Sequence, residues 1–374
     1  MVIDASLSAF KRETFPVLRS RFNSKYSDPA KPTLGLAGFF GYGNYGDELF
    51  LDVWDKYLGQ KYNLRILNDL ESKPFFSESF PSDLANVDGI LIGGGDILQP
   101  WNIDARYWNP DYLKKPVWIA GIGVPLRANS KQAEKEAVIS RMNRFLSHPN
   151  VRCIHARDEV SFNWIKARFP DVREIFWSPD IVATLRHTHF VRSRDLPSVK
   201  PNKLGIVVRS RKGKEESDDF SRVERLIERS HSAGCRITVI VLATGRTLLP
   251  DLYSSLRLNL SSPVSYVFSS SISQLTAALM DQDAIFSMKF HGTVAAMMAG
   301  IPSVVGVPTL KNREFTKQLS VPELCIGFES PKLDDLDVLS LRGPDAEAID
   351  RVYSLAHQSI ERIVSDIDSH YKPN

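Results

Sequence analysis

Asp283-Ala284-Ile285-Phe286-Ser287-Met288-Lys289-Phe290-His291-Gly292-Thr293 is followed by an Ala/Met-rich run closing on Gly300-Ile301-Pro302. It reads as a short apolar strand, a cation and an imidazole at its exit, and a helix that starts at once. Backbone amides at a helix N-terminus favour anions, and Lys289 and His291 arrive at the same point. The spacing suits a site for an anionic substrate group. A basic residue at a strand end with a histidine capping a helix accounts for the same spacing.

Outward from this stretch, the same alternation runs in both directions. Strands are predicted over 33–39, 64–68, 88–92, 116–121, 151–156 and 174–177, with helices over 48–58, 131–146 and 159–168. These runs are nearly continuous in Val, Ile and Leu, as strands covered on both faces should be. A polar segment over 187–202, with two prolines and no apolar period, reads as a linker. Alternation then resumes. Strands are predicted over 204–208, 236–242, 264–268, 284–287 and 303–307, and helices over 218–233, 272–280, 291–299 and 313–319. The segment from Pro344 to about Tyr371 is a long helical pattern without a strand partner, expected to cross back to the first domain. The expected fold is α/β: two Rossmann-like, doubly wound parallel-sheet domains facing a cleft. Their expected spans are 1–190 and 200–343, with 344–374 as the returning helix.

Bulk composition narrows the classes. The 374 residues exceed what one ordinary core organises, so two domains are expected. Apolar content of 43% and charged content of 24% are those of a soluble globular protein. The net charge of +3 is small, its Lys and Arg residues are dispersed and no long basic block occurs, so nothing favours nucleic acid over a small anion as partner. Cys153, Cys235 and Cys325 are far apart and read as reduced thiols of a cytoplasmic protein. The start, Met1-Val2-Ile3-Asp4-Ala5-Ser6, lacks the layout of a signal peptide. No run of about 18 apolar residues occurs, so membrane association is expected to be peripheral at most.

Glycine clusters fall at strand ends, where open parallel sheets bind ligands. Gly41, Gly43 and Gly46 match the dinucleotide spacing, but Asp47 follows the last glycine and opposes an anion there. Asn68 and Asp69 only approach the position of a ribose-binding acid, so NAD is disfavoured. Gly93-Gly94-Gly95 allows close backbone approach to a ligand or simply a tight turn, and Asp96 is suited to sugar hydroxyls. His187-Thr188-His189 has a metal-compatible spacing without a Cys/Asp/Glu frame, so no metal is expected. His155, inside a strand, reads as a satisfied core histidine.

Seven pieces in order carry a resemblance. They are Gly43-Asn44-Tyr45-Gly46-Asp47; Gly93-Gly94-Gly95; Ala156-Arg157-Asp158-Glu159-Val160-Ser161; Ser178-Pro179-Asp180; Arg209; Lys289-Phe290-His291-Gly292 with Ala295 and Gly300-Ile301-Pro302; and Lys311. This series resembles the polysaccharide pyruvyl transferase family over about residues 35 to 320. The resemblance implies a GT-B-like pair of domains and transfer of the pyruvyl group of phosphoenolpyruvate onto two saccharide hydroxyls as a cyclic ketal, in polysaccharide or cell-surface glycan biosynthesis. It implies no cofactor beyond that donor. Catalysis falls on His291, Lys289 and Arg209, and donor binding on these with Gly292, Thr293 and Lys311. Asn44, Asp47, Gly94, Gly95 and Asp96 are the expected acceptor residues. Many members carry arginine where this chain has Lys289, which replaces a planar fork by a point charge. The acceptor is left open between lipid-linked, nucleotide-linked and polymeric saccharide. Two other classes share the architecture: a GT-B glycosyltransferase using a nucleotide sugar, and a non-catalytic sugar-binding protein.

Overall fold

A computed structural model describes residues 28–67, 84–126, 134–193, 202–211 and 217–371. Several sequence expectations fall outside these residues: Asn68 and Asp69, the chain start, the first residues of the helix expected from 131, and 194–201 of the expected linker. The chain divides into two compact units. The first holds 28–42, 47–181 and 355–371 of the described residues, and the second holds Gly43–Gly46 and 182–354. The division falls at Ile181/Val182, ahead of the polar segment at 187–202.

The first unit is built on β1 (Thr33–Ala37), β2 (Asn63–Ile66), β3 (Gly89–Gly95), β4 (Val117–Ile122), β5 (Val151–Ala156) and β6 (Ile175–Trp177). They form one sheet in the order β2-β1-β3-β4-β5-β6, and every pair is parallel. β4 is buried at all six positions, the condition that makes such strands read as unbroken apolar runs. Helices α1 (Tyr45–Leu58), α2 (Glu136–Leu146) and α3 (Glu159–Arg168) connect them. Asp158 caps α3 by accepting from the Ser161 amide at 2.7 Å. Leu49, Phe50, Val53 and Trp54 of α1 are fully buried.

The second unit has the order β11-β10-β7-β8-β9, again all parallel, from β7 (Lys203–Val207), β8 (Arg236–Ile240), β9 (Ser265–Val267), β10 (Ala284–Ser287) and β11 (Ser303–Val305). Its helices are α4 (Ser221–Ser232), α5 (Gly245–Leu256), α6 (Ile272–Met280), α7 (Phe290–Met298) and α8 (Leu310–Gln318). Helix α5 is absent from the sequence expectations. It contains Pro250, a residue that normally interrupts a helix interior.

Helix α9 (Ala346–Tyr371) ends the described chain, and from Leu355 onward it belongs to the first unit. There Asp366 accepts from Trp118 Nε1 at 2.6 Å, and Asp368 accepts from the Tyr62 hydroxyl at 2.8 Å. Arg362 pairs with Glu174 at 2.9 Å. Among the described residues, no helix is long and apolar enough to cross a membrane.

Candidate active site

The strand-to-helix turn at β10 is set by Ser287. Its hydroxyl accepts from the Lys289 amide at 3.1 Å and donates to the Lys289 carbonyl at 2.8 Å, which fixes Lys289 as the N-cap of α7. The lysine then reaches inward. Its ammonium donates to the Leu242 carbonyl at 2.7 Å and pairs with the buried Asp251 of α5. Only 12% of the Lys289 side chain is exposed. The other oxygen of Asp251 accepts from the Ser210 amide at 2.9 Å.

Strand order explains why these residues meet. β7 lies between β10 and β8, and Ser287 is level with Val207 while Ile206 is level with Val239. The exits of the three strands are therefore neighbours. One carries Lys289 and His291, the next Arg209 and Ser210, and the third Leu242. Arg209 is half-buried, with its Nε enclosed.

Gly43–Gly46 belongs to the same unit. The Gly43 carbonyl accepts from the Thr244 amide and the Thr247 hydroxyl, each at 2.8 Å, and Asn44 bridges to Ala243. The Tyr45 hydroxyl meets that of Thr276 at 2.8 Å. This anchoring lays Gly46 against the His291 ring: a Cβ on Gly46 would stand 1.7 Å from His291 Nδ1. Only glycine fits there. Asn44, expected beside Asp47 on the acceptor side, thus sits among residues of the second unit.

Three further donor expectations sort differently. Gly292 lies in the first turn of α7, where amides lack intrahelical acceptors. The Thr293 amide, expected as a donor contact, is corrected: it donates to the Lys289 carbonyl at 3.1 Å within the helix, and the side chain is fully buried. Placing the N-cap at Lys289 makes Thr293 the first residue bonded inside the helix. Lys311, on α8, holds its ammonium 5.2 Å from the Phe290 ring centre, and that ring lies 4.9 Å from the imidazole of His291.

In the first unit, the strand ends gather a different constellation. Arg157 follows β5 with 1% of its side chain exposed, pairing with Asp96 and, at 3.6 Å, with the equally buried Asp180. Burial opposes its charge, but Asp96, Asp180, Asp158 and Asp47 outweigh that and hold its pKa above the ordinary value. Asp47 is nearly buried, and a Cβ on Gly95 would come within 3.4 Å of its Oδ1. Gly94 adopts φ 86° against Phe50, where a side chain would be both strained and crowded. Asp96 keeps 35% of its side chain exposed. His155 is fully buried, accepts from the Gly121 amide at 3.1 Å through Nδ1 and meets the Ser178 hydroxyl at 2.8 Å through Nε2. Burial lowers its pKa to about 4, against the pull of Asp180.

Asp251 is the residue that sequence reasoning missed, along with the structural weight of Arg157 and Asp180. Among the described residues, no group of three or more His, Cys, Asp or Glu is arranged to hold a metal. His187 instead stacks edge-on to Tyr353, with ring centres 4.6 Å apart.

Comparison with solved structures places this architecture. A protein described as a candidate UDP-N-acetylglucosamine 2-epimerase from Listeria monocytogenes matches with a TM-score of 0.53 at 13% identity, over 91% of this chain and 97% of that one. The S. aureus MnaA–UDP structure matches with a TM-score of 0.54 at 10% identity, over 91% and 96%. These likenesses define a class by fold alone: an α/β protein of two Rossmann-like domains, similar to GT-B enzymes. A model of the polysaccharide pyruvyl transferase family matches residues 44–306, well over half of the chain, and takes in both Gly43-Asn44-Tyr45-Gly46 from Asn44 onward and Lys289-Phe290-His291. The chain belongs to that family and is a transferase. A comparison with curated proteins finds no match.

Proposed function

We propose that the protein transfers the pyruvyl group of phosphoenolpyruvate to two hydroxyls of a saccharide, forming a cyclic ketal and releasing inorganic phosphate. The observation that carries this reading is the convergence at the exits of β10, β7 and β8. Lys289 is held as a half-buried cation, His291 stands in the first turn of α7 and Arg209 follows the neighbouring strand. Phosphoenolpyruvate is a small anion with a phosphate and a carboxylate, so it needs at least two fixed cations or amide donors. Lys289, Arg209 and the amides opening α7 supply them.

The bond changes balance without a cofactor. The methylene carbon C3 takes a proton as one acceptor oxygen bonds to C2 and gives up its own. The second hydroxyl oxygen then bonds to C2, the C2–O bond to phosphate breaks, and the second hydroxyl proton leaves with the phosphate. His291 is the acid that protonates C3 or assists phosphate departure, since imidazole exchanges protons near neutral pH. Asp47 and Asp96, with the backbone of Gly94 and Gly95, orient the acceptor saccharide. The free thiols of Cys153, Cys235 and Cys325 fit a cytoplasmic setting.

The test is phosphate release from phosphoenolpyruvate by purified protein across a panel of lipid-linked, nucleotide-linked and polymeric saccharides. One phosphate per ketal formed is expected with the matching acceptor. Consumption of a nucleotide sugar, with phosphoenolpyruvate untouched, would replace this reading by glycosyl transfer.

A further inference from the structure

Asp251 occupies a position that neither catalysis nor packing alone accounts for. It lies on the buried face of α5, and its two oxygens serve two different strand exits. One accepts from the Ser210 amide at 2.9 Å, beside Arg209; the other pairs with the Lys289 ammonium. A carboxylate buried this deeply requires compensation, and here the two partners that compensate it lie at the strand exits carrying Arg209 and Lys289.

We propose that Asp251 is the positioning residue of the donor site: it fixes the Lys289 ammonium and the backbone of the Arg209 segment in one geometry. The proposal rests on the donor-site reading above. An ammonium has three N–H donors. The Leu242 carbonyl takes one of them and Asp251 pairs with the ammonium by charge, so its position is confined from two sides. A lysine on a flexible four-carbon stem otherwise lacks the built-in orientation of a guanidinium. Asp251 supplies that orientation from outside the side chain. It also places a negative charge beside an anion site, so it lowers donor affinity while it sharpens geometry.

That opposition gives the proposal a signature that a merely structural residue does not have. Asp251→Asn keeps an oxygen for the Ser210 amide and removes the charge. It should lower kcat by about 10–100-fold through misplacement of Lys289, while the KM for phosphoenolpyruvate stays level or falls. Asp251→Ala also frees Ser210 and should raise that KM as well. In a Lys289→Ala background, Asp251→Asn should cause little further loss in kcat, because the two residues act as a unit.

The experiment measures phosphoenolpyruvate binding by calorimetry and phosphate release for the wild type and these variants. If Asp251→Ala does not fold, the isosteric Asp251→Asn and the double variant carry the test. A wild-type kcat in Asp251→Asn, or an equal further loss in the Lys289→Ala background, overturns the positioning role and leaves the donor site standing. Absence of phosphoenolpyruvate binding in the wild type overturns the donor reading itself, and this inference with it.

Discussion

Two cations follow two parallel strands of this chain, Arg157 after β5 and Lys289 after β10, and their surroundings differ. Arg157 has 1% of its side chain exposed and faces Asp96 and Asp180, with Asp158 and Asp47 adding to the same field. Four carboxylates thus act on its charge. Lys289 keeps 12% exposure, answers to one carboxylate and one carbonyl, and starts a helix whose first amides face the same point. The two strand-end cations thus differ in how many carboxylates surround them, and under the proposed function only Lys289 is assigned to the donor.

The comparison breaks if the two strand ends respond alike to mutation. His291→Ala, at the Lys289 end, should lower turnover by about 10²–10⁴-fold, the range for losing a general acid. The half-buried ring should leave the melting temperature nearly unchanged. Arg157→Met should do the reverse in kind. It takes the Arg157 charge away from the buried Asp180, which costs about 3–5 kcal/mol of stability. Adding Asp180→Asn should restore part of that. Denaturant titrations on the single and double variants check the stability half; steady-state phosphate release checks the other.

A smaller effect sharpens the structural end further. His155 is held neutral with a pKa of about 4, below its ordinary 6.5, so the unfolded chain binds the extra proton first as pH falls. Its contribution to stability is complete above pH 6.5 and declines between 6.5 and about 4, at ~1.4 kcal/mol per unit once the unfolded form is protonated. His155→Gln should flatten that part of the profile in denaturation curves taken at pH 4.5, 5.5 and 6.5. A slope equal to the wild type's would remove His155 as its source.

Much of this was legible in the sequence, for identifiable reasons. β3, β4 and β10 are almost wholly buried apolar runs, so their existence could be read from local pattern. Helix α5 could not. Its buried face carries Leu248, Asp251, Ser254 and Ser255, its exposed face carries Leu249, Tyr253 and Leu256, and Pro250 lies inside it. An inverted polarity hides a helix from periodicity arguments, and Asp251 was hidden with it. The placement of Gly43–Gly46 was invisible for another reason. Its bonds to Thr244 and Thr276 span 201 and 231 residues, and no local pattern encodes partners at that distance. The Thr293 expectation failed by one position, since α7 starts from Lys289 and so encloses the Thr293 amide.

Thermal stabilisation by phosphoenolpyruvate, set against a panel of nucleotide sugars, tests the donor site most directly. A ligand that binds the native state raises its melting temperature, by an amount equivalent to about 2.7 kcal/mol at a hundredfold excess over Kd. A rise with phosphoenolpyruvate is expected, lost when Lys289 and Arg209 are both replaced by alanine. A rise with nucleotide sugars alone, or one with phosphoenolpyruvate that survives the double replacement, would contradict the donor-site reading.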